Sequence, residues 1–261
     1  MTVHAETDRR VLVITIDRPD VRNAVDGPTA AELNDAVDRL ERDDDLDVAV
    51  LTGAAGTFCA GADLKAIAGG RGNVVTELGA AEIVDSPGPM GPTRRITTKP
   101  VVAAVEGHAV AGGLELALWC DLRVAARDAI FGVFCRRWGV PLIDGGTIRL
   151  PRLIGHSHAM DMILTGRAVD GEEAHRIGLA NRVVESGAAL AAAIELAASL
   201  SAFPQGCMRS DRRAAIEQWG DDVGAALARE AELGMATIRS GETRRGAERF
   251  AGGEGRHGTF D

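Results

Sequence analysis

Tyrosine is absent from this sequence, and Phe, Trp and Tyr together make up 3% of its 261 residues. So few rings argue against a site that grips a ligand between several aromatic side chains. Only four cysteines occur (Cys59, Cys120, Cys135, Cys207) and none forms a CxxC pair, which speaks against a disulfide framework or a zinc knuckle and for reduced thiols. No apolar run approaches the roughly 20 residues that a membrane-spanning helix needs. The longest, Ala109 to Cys120, is short and interrupted by Glu115. The first ten residues are polar and lack the apolar stretch of a secretory signal, so a cytoplasmic protein is expected. Basic excess is missing too. With a formal net charge of −9, a general nucleic-acid footprint is not expected, although a local basic patch for a phosphorylated ligand remains open.

What is present is an ordinary globular composition, 46% hydrophobic and 26% charged. Val11-Leu-Val-Ile-Thr-Ile16 and Val48-Ala-Val-Leu-Thr52 are short, β-branched and bounded by turn residues, as strands are; 101–105 and 122–126 read the same way. Between them lie helical periods. After Gly27-Pro28, Leu33, Val37 and Leu40 fall on one face. Strand and helix in alternation predict an α/β architecture. Residues 69–92 start with Gly-Gly-Arg-Gly-Asn and end near Ser86-Pro-Gly-Pro, and are expected to form a mobile loop or irregular helix over a binding site. Beyond Gly187 strand signals stop, and alanine-rich helical periods occupy 188–200 and 221–235. The expected organisation is therefore a core over 1–195 and a helical subdomain over 196–261.

Two segments could carry chemistry. In Thr52-Gly-Ala-Ala-Gly-Thr-Phe-Cys-Ala-Gly-Ala-Asp-Leu-Lys65 a strand runs through small residues into a helix start. Small side chains there let a ligand approach main-chain amides; a tight strand-to-helix connection would need the same glycines. In Lys99-Pro-Val-Val-Ala-Ala-Val-Glu-Gly-His-Ala-Val-Ala-Gly-Gly-Leu-Glu-Leu-Ala-Leu-Trp-Cys-Asp121 a strand turns through Ala111-Gly112-Gly113 into an apolar helix. Glu115 there is either a buried acid suited to proton transfer or a solvent-facing partner of the helix dipole. His156 and His158 show no third ligand, so no metal is expected.

Together these segments resemble the signature of the crotonase (enoyl-CoA hydratase/isomerase) superfamily. The resemblance extends through Ile16-Asp-Arg-Pro-Asp-Val-Arg-Asn-Ala24, the run from Gly139 to Gly155, and the stretches 159–167 and 174–184, covering roughly residues 10 to 190. It implies a ClpP-like spiral of ββα units, followed by a helical region through which copies associate as a homotrimer or dimer of trimers. It implies an acyl-CoA substrate and no cofactor beyond the coenzyme A of that substrate. The N–H groups of Ala62 and Gly112 would form an oxyanion hole for the thioester enolate. CoA contacts would fall on Arg22, Ala60, Asp63, Lys65 and, in the tail, Arg256; Leu64, Gly113 and Cys135 would line the pocket.

One departure from the family stands out. Hydratases hold a water between two glutamates; Glu115 matches the first, but Cys135 stands where the second belongs. A thiol is a poor replacement for a carboxylic acid. Asp144 in Leu-Ile-Asp-Gly-Gly-Thr occupies a position where some relatives place a working aspartate, although Asp before Gly-Gly-Thr also suits a helix N-cap. Glu115 and Asp144 are the expected acid/base pair of an enoyl-CoA hydratase-type lyase. The alternatives are an enoyl- or dienoyl-CoA isomerase using the same pair, a dehalogenase (disfavoured by the scarcity of aromatics), and a non-catalytic acyl-CoA binder.

Overall fold

The computed structural model describes residues 1–84 and 86–255. Arg256 lies outside them. The described residues divide into two compact units, Met1–Leu200 and Ser201 onward.

In the first unit, β1 (Val3–Asp8) pairs antiparallel with β2 (Val11–Ile16). Helix α1 (Gly27–Arg42) follows; Asp26 caps it by accepting from the Thr29 amide, and Leu33, Val37 and Leu40 are its buried face. Strand β3 (Val48–Gly53) lies parallel to β2, and a short α2 (Leu64–Ala68) comes next. Residues 69–84 and 86–91 are irregular apart from α3 (Ala80–Ile83). Then come β4 (Val101–Val105), β5 (His108–Val110) and α4 (Gly112–Trp119). The same order returns in β6 (Leu122–Ala126), β7 (Ile130–Gly132) and α5 (Gly146–Thr165). The chain continues through β8 (Ala168–Asp170), α6 (Gly171–Arg176), β9 (Arg182–Val184) and α7 (Ala189–Ser201).

The strands form a six-stranded sheet, ordered β1-β2-β3-β4-β6-β9, and a three-stranded sheet, β5-β7-β8. Each of β4 and β6 belongs to the large sheet, and the strand after it belongs to the small one. Cys59 bridges to Ala109 in the same sense after β3, so a strand in each sheet followed by a helix is the repeating ββα unit. The central strands are buried on both faces, as parallel sheets require. Val48, Val50, Val102 and Ala104 pack under Leu196 and Ala197 of α7, whereas Ala49, Leu51, Val101 and Ala103 pack on the opposite face with α1 and α4. That alternation is the period of two expected of a strand.

Because α7 belongs to this sheet, the expected boundary at 195/196 cuts through a helix, and the compact units divide at Leu200 instead. The second unit holds α8 (Gln205–Glu217), α9 (Val223–Arg239) and α10 (Glu242–Ala251). Helices α8 and α10 escape the sequence reading because arginine and other polar residues interrupt their apolar stripes. No helix among the described residues is long and apolar enough to cross a membrane.

Candidate active site

A cavity of about 570 Å³ opens where the two glycine-bearing segments meet. Its lining includes Ala60, Ala62, Leu64, Gly112, Glu115, Cys135 and Asp144, which join residues far apart in sequence. Apolar side chains form most of the wall, among them Ile67, Met90, Trp138 and Ile143.

Ala62 and Gly112 sit side by side. A Cβ on Gly61 would lie 3.0 Å from the Gly112 nitrogen and 2.9 Å from the Ala111 side chain, so only glycine, at φ +98°, lets the segments approach so closely. Neither the Ala62 nor the Gly112 N–H has an acceptor among the described residues. Gly112 opens α4, where the first amides have no partner within the helix. Ala111 before it holds φ 54°, ψ −125°. Such strain in a residue with a Cβ costs on the order of 1–3 kcal/mol, and here it aims the first amides of the helix.

Glu115 is 2% exposed. Its Oε1 accepts from the backbone N–H groups of Asp144 (2.9 Å) and Gly146 (2.8 Å). A Cβ on Gly146 would fall 2.8 Å from that same oxygen, which explains the glycine. Burial, and then the nearby Asp144 carboxylate, raise the Glu115 pKa to about 7. The solvent-facing reading of Glu115 is thereby excluded.

Asp144 is equally buried, at 2% exposed. Its side chain caps no helix: α5 begins at Gly146 behind a left-handed Gly145 with no side-chain cap. Instead, Asp144 Oδ1 accepts from the Met90 N–H (3.0 Å) and from the Thr93 hydroxyl. Arg149 donates to the carbonyls of Asp144 (3.0 Å) and Thr93 (2.7 Å). Burial raises the Asp144 pKa, while the hydrogen bonds from Thr93 and Met90 oppose that rise. In both acids one oxygen carries all the hydrogen bonds, and the other, Oε2 or Oδ2, accepts none among the described residues.

Cys135 lies in a one-turn 3₁₀ segment, Phe134–Trp138. Burial first, then the Glu115 carboxylate, push its thiol upward, so it stays protonated near neutral pH.

Of the expected CoA contacts, Ala60 lines the cavity and its N–H donates to the Arg22 carbonyl (3.0 Å), which ties the Arg22 loop to the wall. Arg22 is exposed at φ 54°, and Lys65 is exposed on α2. Asp63 is different. Its Oδ1 caps α2 by accepting from the Lys65 and Ala66 amides, and its Oδ2 meets Arg18 at 3.1 Å. Its carboxylate is therefore committed to the fold and not to a ligand. Gly113 is likewise not part of the wall: a Cβ there would strike the Cys59 carbonyl at 2.1 Å, so it serves close packing of α4. Thr93, Met90, Gly146 and Arg149 hold the acids, and the sequence reading did not select them. The only local signal was the clustering of Gly and Pro in Pro87-Gly-Pro-Met-Gly-Pro92, which marks a tight turn.

The family model for enoyl-CoA hydratase/isomerase matches residues 6–260. Enoyl-CoA hydratase EchA19 of Mycobacterium tuberculosis is 35% identical over 247 residues, covering 92% of this chain and 90% of that protein. The (E)-benzylidenesuccinyl-CoA hydratase of Thauera aromatica is 36% identical, with 83% and 82% covered. The crystal structure of enoyl-CoA hydratase EchA1 from Mycobacterium marinum superposes with a TM-score of 0.88 at 41% identity, over 96% of this chain and 95% of that one. Sequence match along nearly the whole length and a shared crotonase fold lead to one conclusion: the chain belongs to the enoyl-CoA hydratase/isomerase family.

Proposed function

We propose that this protein hydrates α,β-unsaturated acyl-CoA thioesters, with Glu115 and Asp144 as its acid/base pair. The observation that carries the reading is the pairing of two buried carboxyl groups, each with one oxygen unengaged among the described residues, beside two amides likewise without an acceptor among them, on one apolar cavity. The raised pKa of Glu115 and its repulsion by Asp144 fit a pair that keeps one proton near neutral pH, held by Glu115. Asp144 then takes a proton from water as its oxygen bonds to Cβ. The electrons of the double bond move onto the thioester oxygen, where the Ala62 and Gly112 N–H groups hold the enolate. Glu115 returns a proton to Cα. Asp144 ends protonated and Glu115 ionised, and one proton exchange resets the pair.

Coenzyme A enters as part of the substrate. Arg22, Lys65 and the main chain at Ala60 are its proposed contacts. Cys135 is assigned a place in the wall only. The exposed apolar residues Val223, Leu227 and Ile238 along α9 support self-association of the second unit, read here as a trimer or dimer of trimers in the cytoplasm.

The test is crotonyl-CoA hydration, followed by loss of the conjugated-thioester absorbance, for wild type, Glu115→Gln and Asp144→Asn. Turnover lost in both variants supports the pair. Absence of hydration in the wild type, with double-bond migration in a 3-enoyl-CoA, would replace the reading by an isomerase.

A further inference from the structure

The turn from Gly88 to Gly91 is closed by two backbone hydrogen bonds, Gly88 N–H to the Gly91 carbonyl (2.7 Å) and Gly91 N–H to the Gly88 carbonyl (2.9 Å). It presents the Met90 amide to Asp144 and leads into the 3₁₀ turn Pro92–Arg94, which carries Thr93. Thr93 is completely buried, yet its hydroxyl is spent on one atom, Asp144 Oδ1. Gly88 makes room for that contact. A Cβ on it would lie 2.2 Å from Thr93 Oγ1 and 2.6 Å from Asp144 Oδ1. Arg149, from α5, then ties the Thr93 and Asp144 carbonyls together from the other side.

We infer that Thr93 is a positioning residue for proton transfer: its hydroxyl, delivered by the Gly88–Gly91 turn, anchors Oδ1 of Asp144 so that Oδ2 alone is offered to the water. This rests on the assignment of Asp144 to the acid/base pair. A packing role for Thr93 would need only a side chain of that volume; the hydroxyl donor is what acts on the carboxylate. A hydrogen bond to the ionised form favours that form, so the bond also keeps Asp144 ready to accept a proton. The other charged groups facing Asp144 are Glu115 from α4, Arg149 from α5 and Arg94 from the 3₁₀ turn. None of them is altered by a change at Thr93.

The experiment compares pH profiles of kcat/KM and kcat for crotonyl-CoA hydration in wild type, Thr93→Val, Thr93→Ser and Asp144→Asn. In Thr93→Val the acidic limb should move to higher pH by roughly one unit, and kcat should fall on the order of tenfold with KM little changed. Thr93→Ser should return both toward wild type. Should the valine variant not fold, Thr93→Ala removes the same donor without its branched bulk and gives the same readout. An unmoved limb in a folded Thr93 variant, with Asp144→Asn inactive, overturns the inference alone. Wild-type turnover in Asp144→Asn overturns the assignment of Asp144 beneath it.

Discussion

The backbone N–H of Asp144 donates to Oε1 of Glu115 at 2.9 Å, so one acid of the pair is held by the main chain of the other. Their geometry is coupled through the start of α5, where Gly146 supplies the second donor. Movement of that helix end shifts both carboxyl groups at once. Glu115→Gln should keep the arrangement, because an amide oxygen can accept both hydrogen bonds. Its turnover should nevertheless fall by roughly 10²- to 10⁴-fold, the range attributed to a positioned general acid. Thermal melting at neutral pH checks that the variant remains folded, and the crotonyl-CoA assay reads the loss.

The same burial predicts a stability change with pH. Folded Glu115 holds its proton up to about 7, above the ordinary value of 4.5, so the folded state binds more protons between these two values. Stability contributed by the neutral form is full below pH 4.5 and is lost as pH rises through 7. Asp144, also raised, acts in the same direction. Glu115→Gln escapes its part of the loss. Relative to wild type it should therefore gain stability between pH 5 and pH 8, by an amount on the order of 3 kcal/mol at most. Denaturant unfolding at the two pH values measures the difference, and parallel curves for the two proteins would contradict it.

Cys135 stands where the family resemblance places a glutamate, but burial and the Glu115 carboxylate push its thiol upward, so it does not give up its proton near neutral pH. Cys135→Ser is expected to hydrate crotonyl-CoA within about threefold of wild type, a change of under 1 kcal/mol in barrier. A larger loss would bring the thiol into the mechanism.

Legibility in the sequence follows how local the determinants are. Strands β2, β3, β4 and β6 were readable because each is five or six residues long and mostly apolar, rich in β-branched or small residues, and α1 because its stripe of Leu33, Val37 and Leu40 follows Gly27-Pro28 closely in sequence. Strands β5, β7, β8 and β9 are three residues long, too short to show an alternation. The apolar run around Glu115 made its burial readable, and the resemblance to the family singled out the Ala62 and Gly112 amides as candidates. The local reading of Asp144 as a cap failed for a physical reason: its side-chain partners, Met90 and Thr93, lie 54 and 51 residues away and leave no mark on the sequence around it. Asp63 shows the reverse case, a residue inside a family motif whose carboxylate is taken up by the fold, one oxygen capping α2 and the other pairing with Arg18.

Ala111 offers a separation of fold stability from site geometry. Its φ of 54° with ψ of −125° suits glycine far better than alanine. Ala111→Gly should relieve the strain at a cost in unfolded-chain entropy of about 0.5–1 kcal/mol, for a net gain near 1 kcal/mol. A gain of that size shifts Tm upward by roughly 2–4 °C in a protein of this class. Calorimetry decides the sign, and a lowered Tm would mean that the Ala111 side chain packs more favourably than its backbone is strained.

Gly146 tests the proposed site most directly, because the nearest atoms a methyl group there would meet all belong to Glu115. The added Cβ would meet Glu115 Oε1 at 2.8 Å, its Cγ at 2.9 Å and its Cδ at 3.2 Å. These are contacts that the carboxylate can escape only by moving off the amides of Asp144 and Gly146. Once displaced, Glu115 loses its two donors while remaining buried, so its charged form becomes still less favourable and its proton is no longer aimed at the substrate. The Ala62 and Gly112 amides lie elsewhere on the cavity and keep their places. Gly146→Ala should therefore bind CoA thioesters with nearly wild-type affinity while kcat falls by about 10²-fold or more. Isothermal titration with a saturated acyl-CoA and steady-state kinetics with crotonyl-CoA separate the two effects. Equal losses of binding and turnover would show that the methyl group disturbs the whole cavity and not the placement of Glu115.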